Sequence, residues 1–143
     1  MSKDSDHSAE PPAADVFSSA CDSRVALQHL TGRWGVLIIA ALKLDEKPMR
    51  FTEVRRRVQG VSERMLSQTL GQLERDGMVA RTVHSNIPPH VDYALTSLGA
   101  TIAEPLLTLV TTIEDAFPQI LEAQQAYDAA KDHDRRAQRA PAS

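Results

Sequence analysis

Along most of this chain the apolar positions recur every three or four residues, the spacing of one helix face, and in one region the period drops to two. Val25, Leu27 and Leu30, with Ala26, predict a short amphipathic helix soon after Cys21. "TGRWGVLIIAALK" is apolar nearly all round and predicts a helix buried at the centre of the fold. After a loop ending in Pro48, "RFTEVRRRV" puts Phe51, Val54 and Val58 on one face, and Gln59-Gly60 stops that helix. Ser62 is a suitable N-cap for a helix reaching Asp76, with Leu66, Leu70 and Leu73 toward the core. The period-two stretches "MVARTVH" and "VDYAL" predict two strands. They are joined by "SNIPPH", where Pro88 and Pro89 have no N–H to give to a ladder. Thr96 then caps a long helix carrying Ile102, Leu106, Leu109, Ile113 and Phe117. Pro105 is expected to kink or divide it, and a last helix over 118–130 follows Pro118.

The ends are different in kind. Residues 1–18 are Ser, Asp, Ala and Pro with few large apolar groups, and predict a disordered arm. Residues 131–143 predict a second disordered tail, leaving one domain over 19–130. The fold class expected is mainly α with a small β-hairpin. No apolar leader directs export, no run is long enough to span a bilayer, and a lone cysteine excludes an intramolecular disulfide. These features fit the cytoplasm and no membrane partner.

Helix 62–76 carries an unusual polar face. Ser67, Gln68 and Gln72 lie opposite the leucines, with Arg64 one turn earlier, where a merely solvated face carries Glu–Lys pairs. Short hydroxyls and amides let a backbone come close to DNA and hydrogen-bond phosphates and base edges. The element order, a helix–turn–helix followed directly by a hairpin, is that of a winged helix-turn-helix. Helices at either end of the domain would then mediate dimerisation. The net charge of −3 hides an asymmetry: residues 24–93 carry eleven Lys/Arg against seven Asp/Glu, while both ends are acidic. A basic middle is compatible with a polyanion partner. Of the consecutive Arg55, Arg56 and Arg57, about 100° apart on a helix, one or two can reach phosphate; the rest would be solvated or paired with Glu53 or Glu74.

From Cys21 to about Phe117 the chain resembles the HxlR family of bacterial winged-helix transcription regulators. The matching stretches are "ALQHLTGRW", "RFTEVRRRVQGVSERMLSQTLGQLERDGMVARTV" and "IPPHVDYALTSLG". The resemblance implies a homodimer in which each subunit sets one recognition helix and one wing on a half-site of a near-palindromic operator in double-stranded DNA. It places Ser62, Arg64, Met65, Ser67, Gln68 and Gln72 on the recognition helix and the wing at 84–90, with His84, Asn86 and His90 as wing contacts. Ile102, Leu106, Leu109, Ile113 and Phe117 fall to the dimer interface, and a repressor role is expected. Three positions depart from the family pattern: Gly71 and His90 stand where a basic residue is frequent, and Gly35 replaces a Thr or Ser.

Two roles are open for Cys21. It is a small packed hydrophobe, or a thiol activated at a helix N-terminus, aided by Arg24 and opposed by Asp22. The resemblance favours the second, since several family members use a cysteine at this position to sense quinones, aldehydes or oxidants. An electrophile or oxidant is then the effector. Rival readings are gating by a small molecule between dimer helices, and a winged helix that binds protein instead of DNA. His84, His90 and Asp92 are close in sequence but lack the spacing of a metal motif, so no metal site is expected. No cofactor-binding or nucleophile motif is present, and the chain is not expected to be an enzyme.

Overall fold

A computed structural model describes residues 13–18 and 21–139. The helices are α1 (Asp22–Thr31), α2 (Gly35–Asp45), α3 (Phe51–Arg57), α4 (Glu63–Arg75) and α5 (Ser97–Arg139). The strands are β1 (Met49–Arg50), β2 (Val79–Asn86) and β3 (Pro89–Leu95), antiparallel in the order β1-β3-β2. The chain falls into two compact units, residues 1–103 and 104–143.

In the first unit α2 is the central helix, with Ile38, Ile39, Ala40, Ala41 and Leu42 all buried. Around it the core takes Leu30, Met49, Val54, Val58, Val61, Leu66, Leu70, Leu73, Met78, Val79 and Ala103. Leu30, Val54, Val58, Leu66, Leu70 and Leu73 are positions that the helical spacing sets inward, whereas Met49, Val61 and Ala103 belong to no predicted face and Val25 and Leu27 of the first predicted face are exposed. The helix begins at Gly35 and not near Thr31, because α1 ends with a turn at Gly32, whose N–H bonds Gln28 O at 2.8 Å. The corner is tight enough that a Cβ on Gly35 would lie 1.9 Å from His29 O, which accounts for glycine at this departure from the family pattern.

The recognition-helix boundaries follow the expected chemistry. Ser62 Oγ accepts the Met65 N–H at 3.1 Å and caps α4. At the other end Gly77 N–H bonds Glu74 O at 3.0 Å and Met78 N–H bonds Leu73 O at 2.9 Å. That is a Schellman ending, and Gly77 supplies its positive φ of 79°. Thr96 joins the next pieces. Its hydroxyl donates to Gly77 O at 2.6 Å and accepts the Gly99 N–H at 3.0 Å, while its own N–H bonds Met78 O at 3.1 Å. A second tie, unforeseen in the sequence, is the half-buried 2.6 Å contact of His29 Nδ1 with Asp76 Oδ2.

Three expectations are corrected. The hairpin gains a third strand, since Met49 pairs with Tyr93 and Arg50 with Asp92. Two residues are too few to show alternation. Neither Pro105 nor Pro118 divides α5, so the separate helix over 118–130 is absent. Each proline leaves the carbonyl four residues earlier without its helix donor, and those carbonyls belong to Thr101 and Glu114, both exposed residues open to solvent. The helix also continues through residues 131–139 of the expected tail. Most of the expected arm, residues 1–12, lies outside the described residues, as do residues 140–143.

In the second unit Leu106 is buried. Leu109, Ile113, Phe117 and Leu121 are each 40–51% exposed and recur every four residues.

Candidate nucleic-acid interface

The buried side of α4 is Leu66, Thr69, Leu70 and Leu73. On a helix of about 100° per residue, Arg64, Gln68, Gly71 and Arg75 lie within about 40° of the opposite direction, and all four are exposed. Ser67 flanks this stripe on one side, Met65 and Gln72 on the other. Gln72 is half-buried and, with Met65, Trp34 and Arg33, lines a cleft of about 500 Å³ beside α1. Ser62 is occupied as the cap. The outward polar surface is therefore narrower than the sequence-derived set: Arg64 and Gln68 at its centre, Ser67 at one edge, Met65 and Gln72 at the other. Arg75, which that set omitted, completes it.

The three arginines of α3 separate in role. Arg55 Nη1 pairs with Glu63 Oε1 at 3.0 Å and its Nε donates to Val61 O at 3.4 Å, bracing the turn between α3 and α4. Arg57 lies 3.9 Å from Asp45. Glu53 accepts the Arg50 N–H at 3.4 Å instead of pairing with an arginine. Among the described residues Arg56 has no ion-pair partner, and it is exposed.

The wing is β2 and β3 with its tip at Ile87-Pro88. Asn86 is exposed, and so is Ile87, which the sequence reading did not single out. His84 and His90 are not free: His84 Nε2 is 2.8 Å from Asp92 Oδ2, and His90 Nε2 is 3.3 Å from Asp92 Oδ1.

Cys21 is the N-cap residue of α1 and is partly exposed. Asp15 N–H reaches its Sγ at 3.4 Å, and Ser23 Oγ lies 3.0 Å away. These contacts hold the thiol below its usual range, the Asp15 N–H contributing most, then the Ser23 hydroxyl and N–H. Partial burial and then the Asp15 charge oppose them. Neutral donors, among them the Ser23 N–H at the start of α1, therefore lower the thiol pKa, and neither Arg24 nor Asp22 is among the causes.

The model of the HxlR-like helix-turn-helix family matches residues 29–120, which include both helices of the turn, the recognition stripe and the wing. The chain belongs to the HxlR family. As an HxlR-like protein it is a transcriptional regulator with a DNA-binding helix-turn-helix domain. It is 45% identical over 107 residues to the HTH-type transcriptional regulator YtfH of Escherichia coli K12, covering 75% of this chain and 83% of that one. A solved structure of the ytfH regulator from Salmonella typhimurium superposes with a TM-score of 0.73 at 42% identity, over 78% of this chain and 98% of that one. The redox regulator HypR in its reduced form gives 0.62 at 30% identity, over 71% and 98%. These HxlR-like relatives are described as transcriptional or redox regulators. Among the described residues no single helix is long and apolar enough to cross a membrane.

Proposed function

We propose that this HxlR-like regulator is a homodimeric repressor that reads a near-palindromic operator and is released from it by electrophiles or oxidants acting at Cys21. The observation that carries the DNA reading is the α4 stripe: two arginines and a glutamine, exposed together opposite the buried leucines, on a helix whose sides carry Ser67 and Gln72. Gln68 and Arg64 have the donors and acceptors to read base edges, and Arg56, exposed on α3 and without an ion-pair partner among the described residues, is taken as a phosphate contact. Asn86, His84 and His90 belong to the wing contact. A second copy of the chain is the partner for the stripe of Leu109, Ile113 and Phe117, with half-buried Ile102 in the same interface; Leu106, expected there from its spacing, is buried within its own chain and is not free to meet a partner. An apolar row of that length is unusual on a monomer.

The effector arm is supported by the lowered pKa of the Cys21 thiol, which favours the thiolate, and by the likeness to HypR, a redox regulator. With no second cysteine in the sequence, oxidation would join Cys21 to its counterpart in the partner subunit or to a small thiol, and alkylation would be irreversible. The test is selection of bound duplexes from a random pool, with and without diamide. Enrichment of paired half-sites about 34 Å apart, lost with diamide and retained by Cys21→Ser, is the expected result. A pool without enrichment would refute the DNA reading; enrichment indifferent to diamide would refute only the sensor.

A further inference from the structure

One cluster is not absorbed by the recognition surface. His84, His90 and Asp92 come together at the wing, and one ligand atom from each lies within 4.8 Å of the others. Local pairing explains it. Thr82 sits opposite Asp92 and Val83 opposite Val91, but the register then shifts, so that Ser85 faces His90. His84 is the extra residue of that bulge. It stands two positions from Thr82, as His90 stands two from Asp92, so strand alternation sets all three side chains on one face. Both histidines turn Nε2 toward the carboxylate, one to each oxygen, at 2.8 and 3.3 Å. Their rings are 4.8 Å apart between centroids. Among the described residues no Lys or Arg forms an ion pair with Asp92.

We propose that the wing carries a site for a zinc-class divalent transition metal, held by His84 Nε2, His90 Nε2 and Asp92. Two imidazoles and one carboxylate form a three-ligand set that suits zinc and leaves a fourth position open. Bonds of about 2.0–2.1 Å in tetrahedral geometry require ligand atoms about 3.3 Å apart. The contacts to Asp92 are already at that scale. The ligand set is too poor in oxygen for magnesium or calcium, which favour carboxylates, carbonyls and water. A dication bound by two neutral imidazoles and one carboxylate changes the local charge from −1 to +1. A fourth position left by the three ligands could take water or a phosphate oxygen. The metal site stands on the cluster alone; its consequence, tighter operator binding by the wing, rests on the DNA reading above.

The test is calorimetric titration of the metal-stripped full chain with zinc chloride, in a Cys21→Ser background so that the thiol does not compete. One zinc per chain is expected, with His84→Ala, His90→Ala and Asp92→Asn each weakening it by more than about tenfold. His133→Ala should leave it unchanged, and magnesium and calcium should give no binding. Superimposable melting curves of the metal-free variants would show that the losses are local. Absence of zinc binding by the parent chain, or equal affinity in the His84→Ala/His90→Ala double variant, would overturn the site. In a second arm, operator binding is measured with zinc and with chelator. Zinc binding with unchanged operator affinity would retain the site and overturn the coupling; failure to bind any duplex, with zinc still bound, would strike the DNA reading alone.

Discussion

Replacing Gly71 by alanine should stabilise the protein. The residue is the ninth of the thirteen in α4, inside the hydrogen-bonded part of the helix and away from both caps. It is exposed, and a Cβ built on it meets nothing within 4 Å. No packing term therefore enters, favourable or unfavourable. What remains is backbone entropy: glycine in a helix interior costs about 1 kcal/mol relative to alanine. For an ordered domain of this size that gain should raise the melting temperature by about 3–6 °C. Urea denaturation should show a higher midpoint with an unchanged slope, since the surface exposed on unfolding barely changes. An unchanged or lower midpoint for Gly71→Ala would refute the claim that the position is unconstrained in the folded chain. Operator affinity measured on the same variant separates a second possibility. If the duplex lies a side chain's length from the α4 backbone, affinity stays within about twofold. A loss of about tenfold or more, worth about 1.4 kcal/mol, would mean that DNA approaches the backbone so closely that a methyl group intrudes. Gly71→Arg extends the test. Joining Arg64 and Arg75 on one stripe, it should steepen the salt dependence of binding by about 0.9 for each phosphate it neutralises.

Other changes probe the remaining arguments. Gly99→Ala should be strongly destabilising, by about 2 kcal/mol or more in urea titration, because its Cβ would stand 2.0 Å from Met78 O, and backbone cannot yield as a side-chain tip does. Arg56→Ala should weaken binding to all sequences alike and flatten the salt slope, whereas Arg55→Ala should chiefly lower the melting temperature, since Arg55 braces the α3–α4 turn. The pH midpoint for alkylation of Cys21 by iodoacetamide should lie below that of a free thiol and move upward in Ser23→Ala. Removing one donor to Sγ disfavours the thiolate; an unmoved midpoint would discount the Ser23 contact. Leu109→Asp should give a monomer in analytical ultracentrifugation with weak operator binding, and a wild type that is itself monomeric at micromolar concentration would remove the basis of that expectation.

Elements with strong local codes were legible from the residues. Ser62 and Gly77 bound α4 as their side-chain chemistry requires, the leucine spacing chose its inner face, and alternation marked β2 and β3. What was not legible depends on partners distant in sequence or on a single shifted register. Met49–Arg50 has no periodicity of its own and becomes a strand only because β3 lies beside it. The prolines of α5 read as breaks, yet the carbonyls they free are on exposed residues. Arg55 looked like its two neighbours until the turn brought Glu63 to it, eight residues on. The gathering of His84, His90 and Asp92 needed the bulge, which no count of residues between histidines reveals.

Thr96 acts as a rivet. Through one short side chain and one N–H it fastens the turn that follows α4, at Gly77 and Met78 beside the root of the wing, to the first turn of α5. Tilting the wing against α4 stretches its bonds to Gly77 O and Met78 O together, and unwinding the start of α5 removes the acceptor of the Gly99 N–H. The corner therefore behaves as a stiff crank. Torque applied at the first turn of α5 is passed on to the recognition helix and wing as one piece, because bending at the corner would sever several hydrogen bonds at once.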